Sequence, residues 1–316
     1  MKIAVIDMGT NTFHLLIAKV TKDTHSILSR ERLAVKIGEK GINKNEITPS
    51  AWQRGLTALH TFKRKMEQEQ IKHVFATATS AVRNAQNGQA FANQILNETG
   101  IEVDIISGKR EAELIYLGAQ KAISFENDHH LVMDIGGGSI EFIIGDGEKI
   151  HWLQSFEIGG QRLVELFHHH DPIITDEIAA LENHFEKNLQ PLFAACEKHR
   201  PVDLVGCSGT FDTLSDIYCR ENNIEIDHNI PERPFTKEAF EAIHEQLITF
   251  TKAERLAIPG MIEMRVEMIV VASILINYLT KRLSFSKVRV SSFALKEGIL
   301  FETLNTIRTS MLSTQA

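Results

Sequence analysis

The sequence lacks the features of several protein classes, and each absence narrows its function. It has three cysteines, an odd number without CxxC spacing, so neither a disulfide framework nor a cysteine-rich zinc site is expected. No apolar run reaches the roughly 18 residues of a membrane span. The chain opens like a strand and not like a signal peptide. We therefore expect a cytoplasmic protein with no membrane partner.

The balance of charged residues also argues against nucleic acid as a partner. Lysine and arginine number 34 against 41 acidic residues, which gives a net charge of −7. Such a chain is not expected to bind nucleic acid through its overall field. A polyanionic ligand would have to be held by a local cleft and a metal ion. We also find no Ser-His-Asp or Cys-His arrangement that would indicate a covalent intermediate.

What the sequence does contain is a glycine-rich stretch between two apolar runs, residues 131–147. Its pattern predicts two buried strands joined by a tight turn. Gly136, Gly137 and Gly138 tolerate positive φ, so their N–H groups can converge on an anion. Asp134 at the end of the first strand can hold a cation that neutralises this anion. The stretch predicts a phosphate and magnesium loop, and the plainer alternative is a glycine-rich hairpin.

The N-terminus repeats this pattern. Three pairs of residues match at one offset (134 − 7 = 127): Asp7 with Asp134, Gly9 with Gly136, and Thr12 with Ser139. At a similar offset, residues 74–80 resemble residues 204–210, since each is an apolar strand that runs into small hydroxylic residues. Two echoes at nearly one spacing predict two copies of one domain.

The predicted fold class is α/β, with two duplicated domains of order β-β-β-α-β-α-β-α. Such halves imply mixed sheets with flanking helices and an active-site cleft between the domains. We place the first domain at 1–124 and the second at 125–302, and expect a C-terminal helix at about 303–316 to return to the first domain. In the first half we expect a meander of three strands within residues 2–35, and helices that start at Thr48-Pro49 and at Ser107-Gly108. Element predictions in the second half are a single helix over 175–198, a loop over 222–234 and a helix over 260–279.

The two glycine motifs resemble the phosphate-loop pair of the actin, sugar-kinase and heat-shock-chaperone superfamily. Further motifs at 79–83, 106–112 and 207–210 are similar to those of the exopolyphosphatase/guanosine pentaphosphate phosphatase family. The resemblance runs from Lys2 to about Glu302. It implies two actin-like (ribonuclease H-like) domains. It also implies Mg²⁺-dependent hydrolysis of terminal phosphoanhydride bonds in polyphosphate or guanosine pentaphosphate.

The resemblance implies a role for each motif. Glu111 aligns with the family's catalytic base and Arg83 with its phosphate-clamping arginine. Spacing alone does not choose between Glu111 and Glu113, which lies about 200° further around the helix. Asp134 and Glu141 align with magnesium-side carboxylates. The residues that align with the phosphate-gripping loops are Asp7, Gly9, Thr10, Asn11, Gly136, Gly137, Gly138, Ser139, Ser208, Gly209 and Thr210.

The chain departs from the family pattern in several places. Arg110 precedes Glu111 where many members carry a second glutamate, and we expect this change to affect substrate preference. The segments 294–298 and 265–267 show milder departures. Longer relatives carry a helical C-terminal domain with a His-Asp metal pattern, which is not found before Ala316. The resemblance therefore implies a preference for shorter polyphosphates or nucleotide-linked phosphates.

Two other functions stay open at this point. One is a small kinase or other ATPase of the superfamily, and the other is a non-catalytic sensor that binds polyphosphate or an alarmone. Glu111 favours hydrolysis over both. The resemblance also implies a homodimer. The run of histidines at 168–170 is interpreted as a solvated helix end and not as a metal site.

Overall fold

The computed structural model describes residues 1–21, 24–125, 128–227 and 230–313, the side chains of 308–313 excepted. The chain divides into two compact units. Met1–Gly118 and the C-terminal segment from Leu295 form unit 1, and Ala119–Ala294 forms unit 2. The division falls a few residues before the boundaries expected from the sequence at both places.

Unit 1 is built on a mixed sheet. Its strands are β1 (Lys2–Met8), β2 (Thr12–Val20), β3 (His25–Ala34), β4 (His73–Ala78) and β5 (Val103–Ile105). Its helices are α1 (Pro49–Gln68), α2 (Ser80–Arg83), α3 (Gly88–Thr99) and α4 (Gly108–Ala122, of which the last residues belong to unit 2), with a 3₁₀ turn at Ile42–Lys44. The predicted meander and the helix that starts at Pro49 are both confirmed, with Thr48 Oγ1 accepting from the N–H of Ala51 at 3.4 Å as a helix cap.

Unit 2 repeats this plan. Its strands are β6 (His130–Ile135), β7 (Ile140–Gly145), β8 (Ile150–Phe156), β9 (Asp203–Cys207), β10 (Glu232–Arg233) and β11 (Lys287–Ser291). Its helices are α5 (Gly160–Phe167), α6 (Thr175–Asn188), α7 (Gln190–His199), α8 (Ser208–Glu221), α9 (Lys237–Thr249), α10 (Lys252–Ala257) and α11 (Met268–Leu283). A last helix, α12 (Leu295–Ser313), belongs to unit 1.

The two sheets have the same strand order. Unit 1 has β3-β2-β1-β4-β5, and unit 2 has β8-β7-β6-β9-β11 with β10 added at the edge. In both, the first three strands pair antiparallel and the next two join them in parallel, while β10 pairs antiparallel with β11. The duplication expected from the repeated motifs is therefore present in the topology.

The prediction of one helix over 175–198 was wrong, because this segment forms two helices. α6 ends at Asn188 and α7 begins at Gln190. Pro191 has no N–H to donate to a carbonyl one turn earlier, so an uninterrupted helix would lose a hydrogen bond there. The break is the consequence of this one residue.

Two other element predictions in unit 2 were wrong. The loop predicted over 222–234 includes strand β10, which pairs antiparallel with β11. The helix predicted from residue 260 begins at Met268, while α10 was not predicted. Gly260 has φ of +97°, and a Cβ there would lie 2.7 Å from the backbone N of Ile217. A residue in that conformation cannot start a right-handed helix.

The C-terminal helix α12 packs closely on α4. A Cβ built on Gly298 would lie 1.8 Å from the carbonyl oxygen of Leu114, so the two helix backbones are in direct contact. Leu300 and Leu304 of α12 are buried. The contact fixes the helix that carries Glu111. Among the described residues, no helix has the length and apolarity that crossing a membrane requires.

Candidate active site

In unit 1, Arg83 and Glu111 form an ion pair. Arg83 is the last residue of α2, which follows β4, and Glu111 lies in the first turn of α4, which follows β5. Because β4 and β5 are parallel neighbours, both helices start at the same edge of the sheet. The Nη1 of Arg83 donates to Oε2 of Glu111 at 2.7 Å and to the carbonyl of Ile106 at 3.2 Å.

The pair is shielded from water. The side chains of Arg83 and Glu111 are 15% and 9% exposed, so the charges attract each other more strongly than a surface pair would. Ser107 Oγ accepts from the N–H of Arg110 and caps the start of α4. The N-terminal end of a helix also favours a carboxylate. Glu111 is therefore held in position by its own helix and by Arg83.

Glu111 and Glu113 have different surroundings. Glu113 is 35% exposed and faces Arg110 Nη1 at 3.5 Å and Lys109 Nζ at 4.0 Å. Glu111, and not Glu113, pairs with Arg83. Arg110 also hydrogen-bonds Glu302, which raises the pKa of Arg110 more than any other contact does. Two carboxylates of its own unit therefore engage the charge of Arg110.

The predicted residue Asp7 lies near the end of β1, and Gly9, Thr10 and Asn11 form the loop between β1 and β2. The backbone of this loop is pinned at several points. The N–H of Gly9 donates to the carbonyl of Thr12 at 3.1 Å, and the N–H of Gly38 donates to that of Thr10 at 3.2 Å. Because a trans peptide points its N–H opposite to its C=O, the N–H of Asn11 faces away from Gly38. That amide is a candidate donor to an anion.

Other contacts complete this loop. The carbonyl of Asn11 accepts from the N–H groups of Val35 and Lys36 at 3.0 and 2.9 Å. Asp7 pairs in register with Thr77 of the parallel strand β4. The hydroxyl of Thr12 is buried and has no hydrogen-bond partner in the described part of the chain. A polar ligand would satisfy it.

In unit 2, the three-glycine loop is held from behind by the start of α5. The carbonyls of Gly136 and Gly137 accept from the N–H groups of Gly160 and Gln161, both at 2.8 Å. Gly138 accepts from the N–H of Gly159 at 3.2 Å and from the Arg162 side chain at 2.8 Å. Hydrogen-bond donors therefore reach all three glycine carbonyls.

The orientation of the loop amides follows from these bonds. The peptide bonds of the loop are trans, since the cis bond of the described chain is at Asp171-Pro172. In a trans peptide the N–H group points opposite to the carbonyl. The N–H groups of Gly137, Gly138 and Ser139 then point away from α5. Successive amides that point to one side form an anion-binding nest.

The glycines of this loop do not use the positive φ that they tolerate. Among the described glycines, φ is positive at Gly100, Gly147 and Gly260. The constraint here is the close approach of other backbone atoms. A Cβ on Gly136 would lie 2.9 Å from the carbonyl oxygen of Ser139, and one on Gly159 would lie 2.4 Å from the carbonyl carbon of Gly138. The sequence analysis did not include Gly159, which backs the loop.

Asp134 and Glu141 lie directly opposite each other on the antiparallel strands β6 and β7. Both are buried, at 6% and 1% exposure. Ser208 Oγ donates to Asp134 at 2.6 Å, and Ser155 Oγ donates to Glu141 at 2.6 Å. Like charges opposite each other in a sheet repel. Two buried carboxylates and a set of hydroxyl oxygens are the hard donors that Mg²⁺ prefers, so these residues fit that ion.

The predicted residues Ser208, Gly209 and Thr210 open helix α8. Ser208 has φ of +67°, a strained conformation for a residue with a side chain, and such strain is concentrated at functional sites. The hydroxyl of Thr210 is buried without a hydrogen-bond partner among the described residues. Since β9 pairs in parallel with β6, with Cys207 beside Asp134, these residues and the Asp134 carboxylate lie at the same end of the sheet.

The sequence analysis missed the role of Arg265. A Cβ on Gly209 would lie 2.1 Å from Arg265 Nη2, so the guanidinium lies directly on the backbone of this turn. The turn precedes the first helical amides of α8, where an anion is favoured. The sequence signal for this contact was the glycine at position 209, because the Arg265 side chain leaves no room for a side chain at that position.

Comparisons with known proteins identify relatives along nearly the whole chain. The model of the Ppx/GppA phosphatase family matches residues 16–307. A guanosine-5'-triphosphate,3'-diphosphate pyrophosphatase from Photobacterium profundum is 26% identical over 305 residues, 96% of this chain and 60% of that protein. The chain thus spans less than two thirds of that relative. A putative exopolyphosphatase from Haemophilus influenzae is 29% identical over 308 residues, 95% of this chain and 90% of the relative.

Solved structures share the fold. A crystal structure of an exopolyphosphatase from Cytophaga hutchinsonii is 45% identical, with a TM-score of 0.94 over 97% of this chain and 98% of the other. A Ppx/GppA family member from Aquifex aeolicus is 24% identical, with a TM-score of 0.79 over 97% and 98%. Together with the repeated sheet order, these matches confirm the predicted fold of two actin-like domains.

Proposed function

The chain belongs to the Ppx/GppA phosphatase family, and on this premise we propose that it releases terminal phosphate from inorganic polyphosphate with Mg²⁺, and from guanosine pentaphosphate as a second substrate. Polyphosphate is placed first because the Cytophaga hutchinsonii protein, 45% identical across nearly the whole chain, is named an exopolyphosphatase. The observation that carries the chemistry is the shielded pair of Arg83 and Glu111.

Hydrolysis needs a water molecule aimed at the terminal phosphorus. The water oxygen forms a bond to phosphorus, the bridging P–O bond breaks, and the shortened chain leaves as an anion. Glu111 accepts the proton of the water as a general base. A carboxylate has several lone pairs, so Glu111 can bind Arg83 and a water together. No covalent intermediate with the protein is required.

Arg83 supplies the positive charge next to the base. Its planar guanidinium suits the oxygens of the transferred phosphoryl group, whose charge is spread over three oxygens in the transition state. The donation from Arg83 to the carbonyl of Ile106 restrains its position before substrate binds. Because the guanidinium is already positioned, less reorganisation is needed during the reaction.

The glycine loop and the carboxylates of unit 2 serve the phosphate chain. The amides of Gly137, Gly138 and Ser139 are proposed to donate to its oxygens. Asp134 and Glu141 would hold Mg²⁺, which neutralises phosphate charge when bound. Ser208 and Ser155 orient these two carboxylates through their hydrogen bonds.

The test is phosphate release in water enriched in ¹⁸O. The full chain is incubated with Mg²⁺ and, in parallel, short polyphosphate, long polyphosphate, guanosine pentaphosphate or ATP. We expect one ¹⁸O atom in each released phosphate, with polyphosphate turned over faster than guanosine pentaphosphate and with little release from ATP. Chelation of the metal should stop the reaction.

The other outcomes separate the competing functions. Transfer of phosphate to an acceptor without ¹⁸O incorporation would show a kinase. Binding of polyphosphate or pentaphosphate without any release would show a sensor and would refute the proposed hydrolysis.

A further inference from the structure

Three histidines of unit 2 come together at the edge of the sheet away from the glycine loop. His129 directly precedes β6, His151 is the second residue of β8, and His199 ends α7. One ring nitrogen of each lies within 4.8 Å of those of the other two. Within the residues that the structure describes, no other group of three potential metal-ligating histidine, cysteine or carboxylate side chains is this close.

The rings converge from three separate elements. The His129 and His151 ring centroids are 4.3 Å apart, and His199 lies 5.7 Å from each. The rings are tilted or edge-on and are not stacked face to face. All three side chains are half-buried, so an ion from solution can reach them.

Two of the imidazoles use one ring nitrogen in a hydrogen bond, which leaves the other nitrogen to bind an ion. His129 Nδ1 lies 2.5 Å from the carbonyl of His199, which can only accept, so Nδ1 donates and Nε2 carries the lone pair. His151 Nε2 lies 2.6 Å from Asp146 Oδ2. If the carboxylate accepts there, the lone pair of His151 is on Nδ1.

The contacts of Asp146 support this assignment. Its Oδ1 accepts from the N–H groups of Glu148 and Lys149, both at 3.0 Å, and a carboxylate accepts hydrogen bonds, so the imidazole of His151 donates to Oδ2. A metal-binding histidine commonly donates its second N–H to a carboxylate or a backbone carbonyl, which is what His151 and His129 do.

The third imidazole comes from a different kind of element. His199 is the last residue of α7, whereas His129 and His151 lie at the starts of two strands. Neutral imidazoles are the form that binds a transition metal.

We propose that His129, His151 and His199 form a second metal site, which takes Zn²⁺ through three imidazole nitrogens and leaves the fourth position to water. Tetrahedral Zn²⁺ with Zn–N bonds near 2.0–2.1 Å places its ligand atoms about 3.4 Å apart. Rotations about the side-chain torsions of the three histidines close the remaining distance. Imidazole nitrogen suits Zn²⁺, whereas Mg²⁺ prefers oxygen.

The site is separate from the proposed active site. His129 lies before the first residue of β6, and Asp134 lies near its last, roughly 16 Å along the strand. The ion would join the start of β6, the start of β8 and the end of α7, so its effect is on the stability of unit 2. An ion that binds only the folded state stabilises it by mass action.

The test uses the full chain without a polyhistidine tag, stripped of metal and then supplied with Mg²⁺. Zn²⁺ is titrated by calorimetry, and thermal unfolding is followed with and without it. We expect one Zn²⁺ per chain and a rise in Tm of about 5 °C at a hundredfold excess over Kd. His199→Gln should remove both effects and retain phosphate release, which shows that it is folded. His169→Gln, from the neighbouring run of histidines, should keep both.

Co²⁺ locates the ion independently. Four-coordinate Co²⁺ absorbs visible light far more strongly than six-coordinate Co²⁺, so intense bands are expected in the wild type and in Asp134→Asn but not in His199→Gln. No Zn²⁺-dependent change in the wild type, or one that survives His199→Gln, would overturn the proposal. Bands lost in Asp134→Asn would place the ion at the carboxylates and would overturn it as well.

Discussion

At the scale of single residues, the proposed chemistry depends on the ion pair of Arg83 and Glu111, which is shielded from water. An arginine and a glutamate that are both largely buried interact strongly, and removing one partner leaves the other as an uncompensated charge. Arg83 and Glu111 are also both directed by backbone contacts, through the carbonyl of Ile106 and the cap at Ser107. Conservative substitutions are therefore the informative ones, because they keep the charge or the shape.

We predict that Arg83→Lys lowers kcat about 100-fold. Lysine keeps the positive charge but loses the planar fork, so it cannot donate to Glu111, Ile106 and a phosphate oxygen with the same geometry. Steady-state phosphate release measures the change. Arg282→Lys is the control, since Arg282 pairs with Glu186 in unit 2 at an exposed position. Equal activity of the two variants would contradict the role of Arg83.

A second residue-scale prediction concerns pH. Burial lowers the pKa of His244 to about 4, and the charge of Lys281 acts in the same direction. The ring lies on α9, 3.1 Å from Ser273 Oγ on α11, and stacks with Phe240. Folding therefore favours the neutral ring, so its contribution to stability is present above pH 6.5 and is lost as the pH falls from 6.5 toward 4.

The size of this effect follows from the difference in pKa. We expect the free energy of unfolding of the wild type to fall by about 2 kcal/mol more than that of His244→Asn between pH 7 and pH 5. Urea unfolding at both pH values measures it, and the difference between the two proteins removes the contributions of other histidines. Parallel pH dependences in the two proteins would show that His244 titrates normally.

The choice between Glu111 and Glu113 shows why sequence could not complete the site at this scale. Both glutamates lie at the start of the same helix, and the family motif names one of them only by alignment. The physical reason to prefer Glu111 is Arg83, which lies 28 positions earlier in the chain. That contact is set by the parallel pairing of β4 and β5, which a local sequence pattern does not encode. The contact of Arg265 with Gly209 is also between residues far apart in the sequence, so no local pattern indicated it either.

At the scale of elements, each of the two glycine-containing loops that we propose to bind phosphate depends on a second segment behind it. Gly38 backs the loop of unit 1, and the start of α5 backs the glycine loop of unit 2. The N–H groups of the second segment donate to the loop carbonyls. Because the loop peptides are trans, their own N–H groups then point away from that segment. The motifs themselves could be read from the sequence, but the backing residues could not, since they lie outside the motifs.

Two adjacent glycines provide a test of this arrangement. A Cβ on Gly159 would lie 2.4 Å from the backbone of Gly138, whereas a Cβ on Gly160 would meet only the flexible Met268 side chain, at 3.3 Å. We predict that Gly159→Ala weakens polyphosphate binding at least about tenfold, because the loop must move, while Gly160→Ala binds nearly as the wild type does. Calorimetric titration measures both. Unchanged binding by Gly159→Ala would contradict the proposed loop.

Element boundaries were predictable where local chemistry sets them. Thr48-Pro49 and Ser107-Gly108 are helix starts in sequence and in structure. Predictions failed where a single residue interrupts a periodic pattern, as at Pro191, or where a short strand forms only by pairing with a distant one, as β10 does with β11. Edge pairing of this kind has no local signature.

At the scale of the whole molecule, repetition was the most informative signal. The offset between the two glycine motifs predicted two domains, and the same strand order in both sheets confirms it. The return of α12 to unit 1 was also expected, although it begins earlier, at Leu295. The close contact between Gly298 and Leu114 explains the helix position, and it depends on two segments far apart in sequence.

The central claim is that Glu111 activates the attacking water. Its most direct test is the rate of phosphate release from polyphosphate by the wild type, Glu111→Gln and Glu113→Gln with Mg²⁺, with polyphosphate binding measured for each. The glutamine amide keeps the shape of the carboxylate but cannot take a proton. We predict a loss of about 10²–10⁴-fold in kcat for Glu111→Gln with binding retained, and near-normal release for Glu113→Gln. Wild-type release by Glu111→Gln would contradict the account.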